Sequence, residues 1–214
     1  MACDTAGGLS EAELRRRRPV WSALSDLFLD TETRWFMPRT ALALCESGYT
    51  PAELEAIWHR ELVPECAYNL LDIAGEWVAL SLDEAALLRR VARGPSLLER
   101  GAASAAEAVL GDQWERVLDL RALLAAEPPA RARDLAEIWT HFAHAYLETS
   151  LDGMLCLRSH VERLAAVGWA KADLLVSFEG AFRLVYRRLL IGDERATEAE
   201  RAACVLALIE RALG

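Results

Sequence analysis

The sequence predicts an all-α fold built from two tandem, diverged helical repeats. Apolar residues recur at helical spacing, and no stretch sustains the alternation of apolar and polar residues that a strand needs. In addition, Trp21–Thr31 (WSALSDLFLDT) is similar to Trp139–Thr149 (WTHFAHAYLET), and Gly48–Leu54 (GYTPAEL) is similar to Gly168–Leu174 (GWAKADL). A unit repeated in this way predicts either one compact helical body or two packed bundles.

The first helices are predicted from capping residues and an apolar stripe. Ser10 with Glu13 forms a capping box, which predicts a short helix that Pro19 stops. Pro38 predicts the first turn of a later helix, which ends near Gly48. Between them, one buried helical face is predicted from the stripe Val20, Trp21, Leu24, Leu27 and Phe28.

The clearest helix start is Thr50-Pro51-Ala52-Glu53. The threonine hydroxyl can accept a first-turn N–H, the proline suits the first helical position, and Glu53 can return to the cap. Further helices are predicted over 67–73, from 81 to 91 and within 96–126, and in the second copy over 134–149, 153–167, 170–190 and 197–213.

The repeat divides the chain into three predicted parts. Residues 1–110 form the first repeat unit, which is acidic and carries the sequence motifs. Residues 111–133 form a connecting helix and a Pro-rich linker, because Pro128-Pro129 and the scattered charges after them cannot continue a helix. Residues 134–214 form the second unit.

Composition predicts a cytoplasmic protein without a membrane partner. The five cysteines are odd in number, widely spaced and free of any CxxC pair, which argues against a disulfide framework or a zinc knuckle. No window reaches the roughly 18 apolar residues that a membrane span needs. No phosphate loop, GxGxxG or GxSxG motif is present, so we expect neither a cofactor nor an enzymatic activity.

The negative charge is concentrated in the first copy. The chain has a net charge of -9, and Pro19 to Leu87 alone holds three arginines against twelve acidic residues. Such a field repels phosphate backbones, which argues against a nucleic-acid partner, and it attracts a basic protein. An ordinary solvated helical face is the alternative interpretation.

Ten residues are predicted to bind this basic partner. Trp35 and Phe36 are candidate anchors, because large apolar side chains precede Pro38 in a polar stretch. Asp30 can equally end and cap a helix. The candidate carboxylates are Asp26, Asp30, Glu32, Glu53, Glu55, Glu61, Glu65 and Glu76. A homodimer through the second copy also stays open.

A metal site is the alternative source of function. His141, His144 and Glu148 lie at positions i, i+3 and i+7, which places them along one side of a helix. No HExxH motif accompanies them, and the sequence does not fix where His160 lies relative to them. Partly buried histidines without a metal are the other interpretation.

Three blocks of the first copy resemble an uncharacterised family of small bacterial helical domains. The blocks are Trp21–Thr31, the segment from Glu53 to Asn69 with Glu61 and Pro64, and Ala74-Gly75-Glu76-Trp77. The resemblance covers about residues 19–90, and the second half matches only as the degenerate repeat. It implies a helical fold and no particular activity. The chain departs from the family at residues 34–38, where aromatic residues replace an acidic helix start.

The leading hypothesis is a non-enzymatic, immunity-type protein that neutralises a basic toxin, such as a nuclease, through its acidic surface. The second is a metal-binding helical enzyme or sensor that uses His141, His144 and Glu148. A third, a helical transcription regulator reading DNA with the helix after Thr50, conflicts with the charge of Glu53, Glu55 and Glu61.

Overall fold

The computed structural model describes residues 9–29, 32–71, 84–94, 96–148 and 151–213, and all regular elements in these ranges are helical. The predicted all-α class is therefore confirmed. The chain divides into two compact units: unit 1 comprises Met1–Phe36 and Ala43–Glu115, and unit 2 comprises Met37–Leu42 and Arg116–Gly214. The limits at residues 110 and 134 stay a prediction. Among the described helices, none combines the length and the apolar character needed to cross a bilayer.

In the described residues up to 125, the chain forms six α-helices. They are α1 (Glu11–Ser25), α2 (Met37–Glu46), α3 (Pro51–Ile57), α4 (Val63–Leu71), α5 (Glu84–Arg93) and α6 (Leu97–Ala125). A π-helical turn, Trp58–Leu62, joins α3 to α4, and short 3-10 turns cover Asp26–Phe28 and Thr33–Trp35. Helices α1 and α5 both pack against the π-helical turn.

The described residues from 129 to 213 form six more helices. They are α7 (Pro129–Glu148), α8 (Leu151–Ala166), α9 (Lys171–Ser177), α10 (Arg183–Tyr186), α11 (Asp193–Ala196) and α12 (Glu198–Leu213). A second π-helical turn, Phe178–Phe182, joins α9 to α10, and a 3-10 turn covers Arg187–Leu189. Helices α7, α8 and α12 pack against one another and form the body of unit 2.

Helix α1 does not stop at Pro19. Ser10 accepts the Glu13 N–H at 3.1 Å as predicted, but α1 continues through Pro19 to Ser25. A proline inside a helix removes one hydrogen bond and costs about 3 kcal/mol. The cost is offset because the second half of α1 buries an apolar face. Its members are Val20, Trp21 and Leu24.

Replacing Pro19 with alanine is expected to raise the free energy of unfolding by about 2 kcal/mol. The change restores the N–H that can bond to the Arg15 carbonyl, and Pro19 is exposed, so no packing is lost. About 1 kcal/mol of the gain is lost, because the unfolded chain is more flexible with alanine than with proline and is therefore favoured. Urea unfolding followed by tryptophan fluorescence measures the difference.

Pro129→Ala is the matched control. Pro129 is also exposed but begins α7, where a helix needs no N–H donor, so its replacement is expected to change stability by less than about 0.5 kcal/mol. Equal shifts of the urea midpoint for the two variants would contradict the explanation for Pro19.

The predicted linker is partly helical. Helix α7 begins at Pro129, five residues before the predicted start at 134, so the segment 129–133 is helical. The physical reason is that proline is well suited to the first helical position, where its missing N–H costs nothing. Helix α6 likewise runs unbroken from Leu97 to Ala125.

Equivalent features occur 120 residues apart in the two units. Thr50 and Glu53 form the predicted capping box, and Asp173 accepts the Ala170 N–H at 3.0 Å, although alanine offers no acceptor in return. Gly48 (φ 69°) precedes the first of these starts and Gly168 (φ 98°) the second. Each helix then leads into a π-helical turn. The interpretation of two diverged repeats stays a prediction.

Each unit is centred on aromatic side chains. In unit 1, Trp58 stacks on Trp114 with ring centroids 4.8 Å apart and also contacts Phe28 at 5.2 Å. In unit 2, a cluster of buried rings fills the space between α7 and the turn after α9. Its members are Phe142, Tyr146, Phe178, Phe182 and Tyr186.

Candidate functional site

A buried ion pair joins α1 to the first π-helical turn. The Arg17 guanidinium contacts the Glu61 carboxylate, and the Trp21 indole N–H donates to the same carboxylate at 2.8 Å. The side chains of Arg17 and Glu61 are only 15% and 8% exposed. Glu61 was predicted to bind a partner, yet its carboxylate faces the interior of unit 1 and is used there.

The ion pair is linked to Glu13, which is partly exposed, and through it to Tyr49, which is buried. Tyr49 donates its hydroxyl hydrogen to Glu13 at 2.7 Å, and Arg16 lies 3.7 Å above the Tyr49 ring. Burial, reinforced by the bond to Glu13, raises the pKa of Tyr49 to about 12. The phenol therefore stays protonated at neutral pH. These charged groups hold α1 against the start of α3.

Unit 2 places apolar residues at the corresponding positions. Leu135 follows Arg17 by 118 residues and Ala181 follows Glu61 by 120. The Trp139 indole donates to the Ser177 hydroxyl at 2.8 Å instead of to a carboxylate. An ion pair buried in unit 1 therefore has no equivalent at these positions of unit 2.

A pocket of about 310 Å³ lies beside Trp139 in unit 2. Its charged rim is held by Arg131, which lies 3.3 Å from Glu127 and 3.5 Å from Asp173. The rest of its lining is mostly apolar and comprises Leu123, Leu135, Trp139, Ala172, Val176, Ser177, Gly180 and Ala181. Such a pocket can accept a small apolar group, and the sequence offered no sign of it.

Most of the predicted partner-binding carboxylates have partners within unit 1. Glu32 bonds to Arg34, and Glu65 bonds to Arg90. Glu53 is exposed but accepts the Thr50 N–H at 2.7 Å, and this bond lowers the pKa of the Glu53 carboxyl. These bonds hold helix ends and contacts between helices within unit 1. Of Glu32, Glu53 and Glu65, only Glu53 is exposed.

The remaining candidates differ in how they are placed. Asp26 begins the 3-10 turn after α1 and is half-buried, and this burial raises the pKa of its carboxyl. Trp35 and Phe36, the predicted anchors, are also half-buried just before α2. Asp30 and Glu76 lie outside the described residues.

An acidic cluster in unit 1 joins α3 and α6 to His59, which lies in the first π-helical turn. One His59 ring nitrogen lies 2.8 Å from Glu55, and the other lies 2.5 Å from Glu107. Glu55 also accepts the Trp114 indole N–H at 3.2 Å. Glu107 was missed from the sequence because only the fold places α6 beside α3.

A second cluster lies on α7 and α8 of unit 2. Glu137, His141 and His160 each offer one possible ligand atom within 4.8 Å of the other two. The two imidazole rings are 4.5 Å apart, and Glu137 Oε1 lies 3.5 Å from His160 Nδ1. Arg163, one turn after His160, contacts His160 Nδ1 and lies 3.0 Å from the Glu137 carboxylate.

Burial keeps both histidines of this cluster neutral. It lowers the pKa of His141 to about 4, with a further contribution from the neighbouring His160. Burial likewise lowers the pKa of His160, although Glu137 opposes the shift. His160 is 3% exposed, and its Nε2 has no hydrogen-bond partner in the described part of the chain.

His144 and Glu148, which the sequence grouped with His141, lie outside this cluster. Burial is the main cause that lowers the pKa of His144. The charge of Glu148 opposes this shift, and the charge of Arg39 adds to it. His141 instead meets His160 across the α7–α8 contact and Glu137 one turn earlier on α7. The Glu137–His141 spacing of i, i+4 was available in the sequence, but its pairing with His160 needed the fold.

Comparison with known families identifies one region of the chain. Residues 15–118 match the model of a domain of unknown function, DUF7079. This range includes residues 19–90, for which the sequence predicted an uncharacterised family. No curated protein and no solved structure matches the chain.

Proposed function

We propose that this chain is a non-enzymatic protein-binding module of the immunity type, which neutralises a basic toxin such as a nuclease. One observation carries the proposal: the net charge is confined to unit 1. That unit holds 19 acidic and 10 basic residues, a net charge of -9, whereas unit 2 holds 14 of each. A charge of this size on one unit speeds the capture of a basic protein.

The internal bonds of unit 1 narrow the choice of contact residues. Glu61 and Glu65 are occupied by buried arginines, so they contribute little to a partner surface. Glu53, Glu55 and Glu107 keep accessible carboxylate surface on α3 and α6. We therefore propose these three as the principal contacts, with the His59 ring between Glu55 and Glu107.

Co-expression with the product of the neighbouring gene is the first test. The chain is expected to form a stable complex with it and to relieve its toxicity. The double variant Glu55→Gln with Glu107→Gln is expected to slow association about 5- to 10-fold at low salt, and the difference should shrink at high salt. Stopped-flow fluorescence measures the association rate.

Glu200→Gln with Glu210→Gln is the matched control. Both residues are exposed on α12 of the neutral unit 2, so the variant makes the same change in net charge without touching unit 1. It should associate at the rate of the unaltered chain. The proposal is wrong if no complex forms and no toxicity is relieved, or if the control slows association equally.

A further inference from the structure

We propose that Glu137, His141 and His160 bind one zinc ion, and that the guanidinium of Arg163 competes with zinc for this position. The site lies wholly within unit 2, so it is independent of the acidic surface of unit 1 proposed to bind a partner. It also differs from the set His141, His144 and Glu148 that the sequence suggested.

The ligand types and their separation suit zinc. Two imidazoles and one carboxylate form the kind of three-residue set that leaves a fourth position open for water or substrate. Zinc bonds of about 2.0–2.1 Å at tetrahedral angles place neighbouring ligand atoms roughly 3.4 Å apart. Glu137 Oε1 and His160 Nδ1 are already 3.5 Å apart. The ligand atom of His141 lies within 4.8 Å of both, and a rotation of the His141 and Glu137 side chains, which are at least partly exposed, would bring it closer.

Arg163 marks the position that a cation favours. Its Nη2 lies 3.0 Å from Glu137 Oε1 and contacts His160 Nδ1, so one positive group bridges two of the three ligands. A guanidinium only donates hydrogen bonds, so Nδ1 must be the acceptor and the proton of His160 sits on Nε2. Zinc bound at Nδ1 requires the same tautomer.

The guanidinium can leave at little cost. The Arg163 side chain is 63% exposed, so it can turn into water while His160 stays fixed in the core. Glu137 is exposed on the same side of the cluster, which gives an ion a path from solvent. Asp134, whose charge acts on His160, adds negative potential nearby.

Zinc binding to the full chain, purified without a polyhistidine tag, tests the proposal. Competition with a chromophoric chelator is expected to give one zinc ion per chain. His141→Ala is expected to weaken the affinity about 100-fold, because it removes a ligand. Arg163→Gln is expected to strengthen it about tenfold, because it removes the competing positive charge. A merely structural histidine cluster would not respond to Arg163→Gln in this direction.

His144→Ala is the matched control, since it removes an imidazole from the same helix without touching the three ligands. It should bind zinc with the affinity of the unaltered chain. Near-UV circular dichroism checks that each variant is folded, and Glu137→Gln replaces His141→Ala if that variant fails the check. The proposal is overturned if less than one zinc ion binds per chain, if removal of a ligand leaves the affinity unchanged, or if Arg163→Gln weakens binding.

Discussion

Replacing Glu61 with alanine is expected to lower the free energy of unfolding by about 3–4 kcal/mol. The change leaves the Trp21 indole N–H and the Arg17 guanidinium without the carboxylate that both of them use. Arg17 keeps two bonds to Glu13, from Nε and Nη2, both at 3.3 Å, and remains largely buried. Urea unfolding of the full chain measures the loss.

A double-mutant cycle separates the interaction energy of the ion pair from the energy lost with the packing of the Glu61 side chain. Arg17→Leu with Glu61→Ala is expected to be more stable than Glu61→Ala alone by about 1–2 kcal/mol, because no buried charge is then left unpaired. Unit 2 supports this expectation, since Leu135 and Ala181 stand at the corresponding positions. Glu53→Gln is the control, because Glu53 is exposed and its replacement should shift the urea midpoint much less than Glu61→Ala does.

The result also decides between two roles for Glu61. A residue that only contacts a partner would leave the stability of the free chain unchanged when it is replaced. If Glu61→Ala unfolds at the urea concentration of the unaltered chain, the structural role described for the ion pair is wrong. The sequence alone could not make this distinction, because a carboxylate on a helix face looks the same whether it meets water or a buried arginine.

Helix starts were the most predictable part of the fold. The signals at Thr50, Pro51 and Glu53 act within four residues, so they do not depend on tertiary structure. Pro19 shows the limit of such local signals. A proline usually ends a helix, but burial of the apolar face that follows it outweighed this preference.

The π-helical turns were not predicted. The turn spans Trp58–Leu62, and Trp58, Glu61 and Leu62 are buried in it. These three stand at positions i, i+3 and i+4, which a regular α-helix also places on one face. The role of Glu61 was missed because Arg17, its partner, lies 44 residues earlier on α1, and only the fold brings the two together.

The candidate site in unit 2 depends on a contact between helices. His141 was identified from its neighbours on α7, but its partner His160 is nineteen residues away on α8. Spacing along one helix identifies ligands that lie one or two turns apart, such as Glu137 and His141. This spacing does not reveal which neighbouring helix supplies the third ligand.

Replacing Glu198 with glutamine is expected to lower the free energy of unfolding by about 2–3 kcal/mol at pH 7. Glu198 accepts the buried Tyr146 hydroxyl at 2.7 Å and two Arg183 bonds at 2.6 and 3.1 Å. An amide keeps one acceptor oxygen, but it loses the charge that Arg183 needs. Urea midpoints at a series of pH values measure the effect.

The pH dependence gives the sharper test, because the Arg183 bonds lower the pKa of the Glu198 carboxyl. A carboxyl whose pKa is lower in the folded chain contributes its full stability above its unfolded pKa of about 4.5, and loses it as the pH falls through the folded value. The stability gap between the unaltered chain and Glu198→Gln should therefore be constant from pH 7 to about 5 and shrink below about 4.5. Glu200 is exposed and lies two residues later on α12, so Glu200→Gln should have the stability of the unaltered chain at every pH. A gap that is the same at pH 3 as at pH 7 would contradict the role of the Arg183–Glu198 pair.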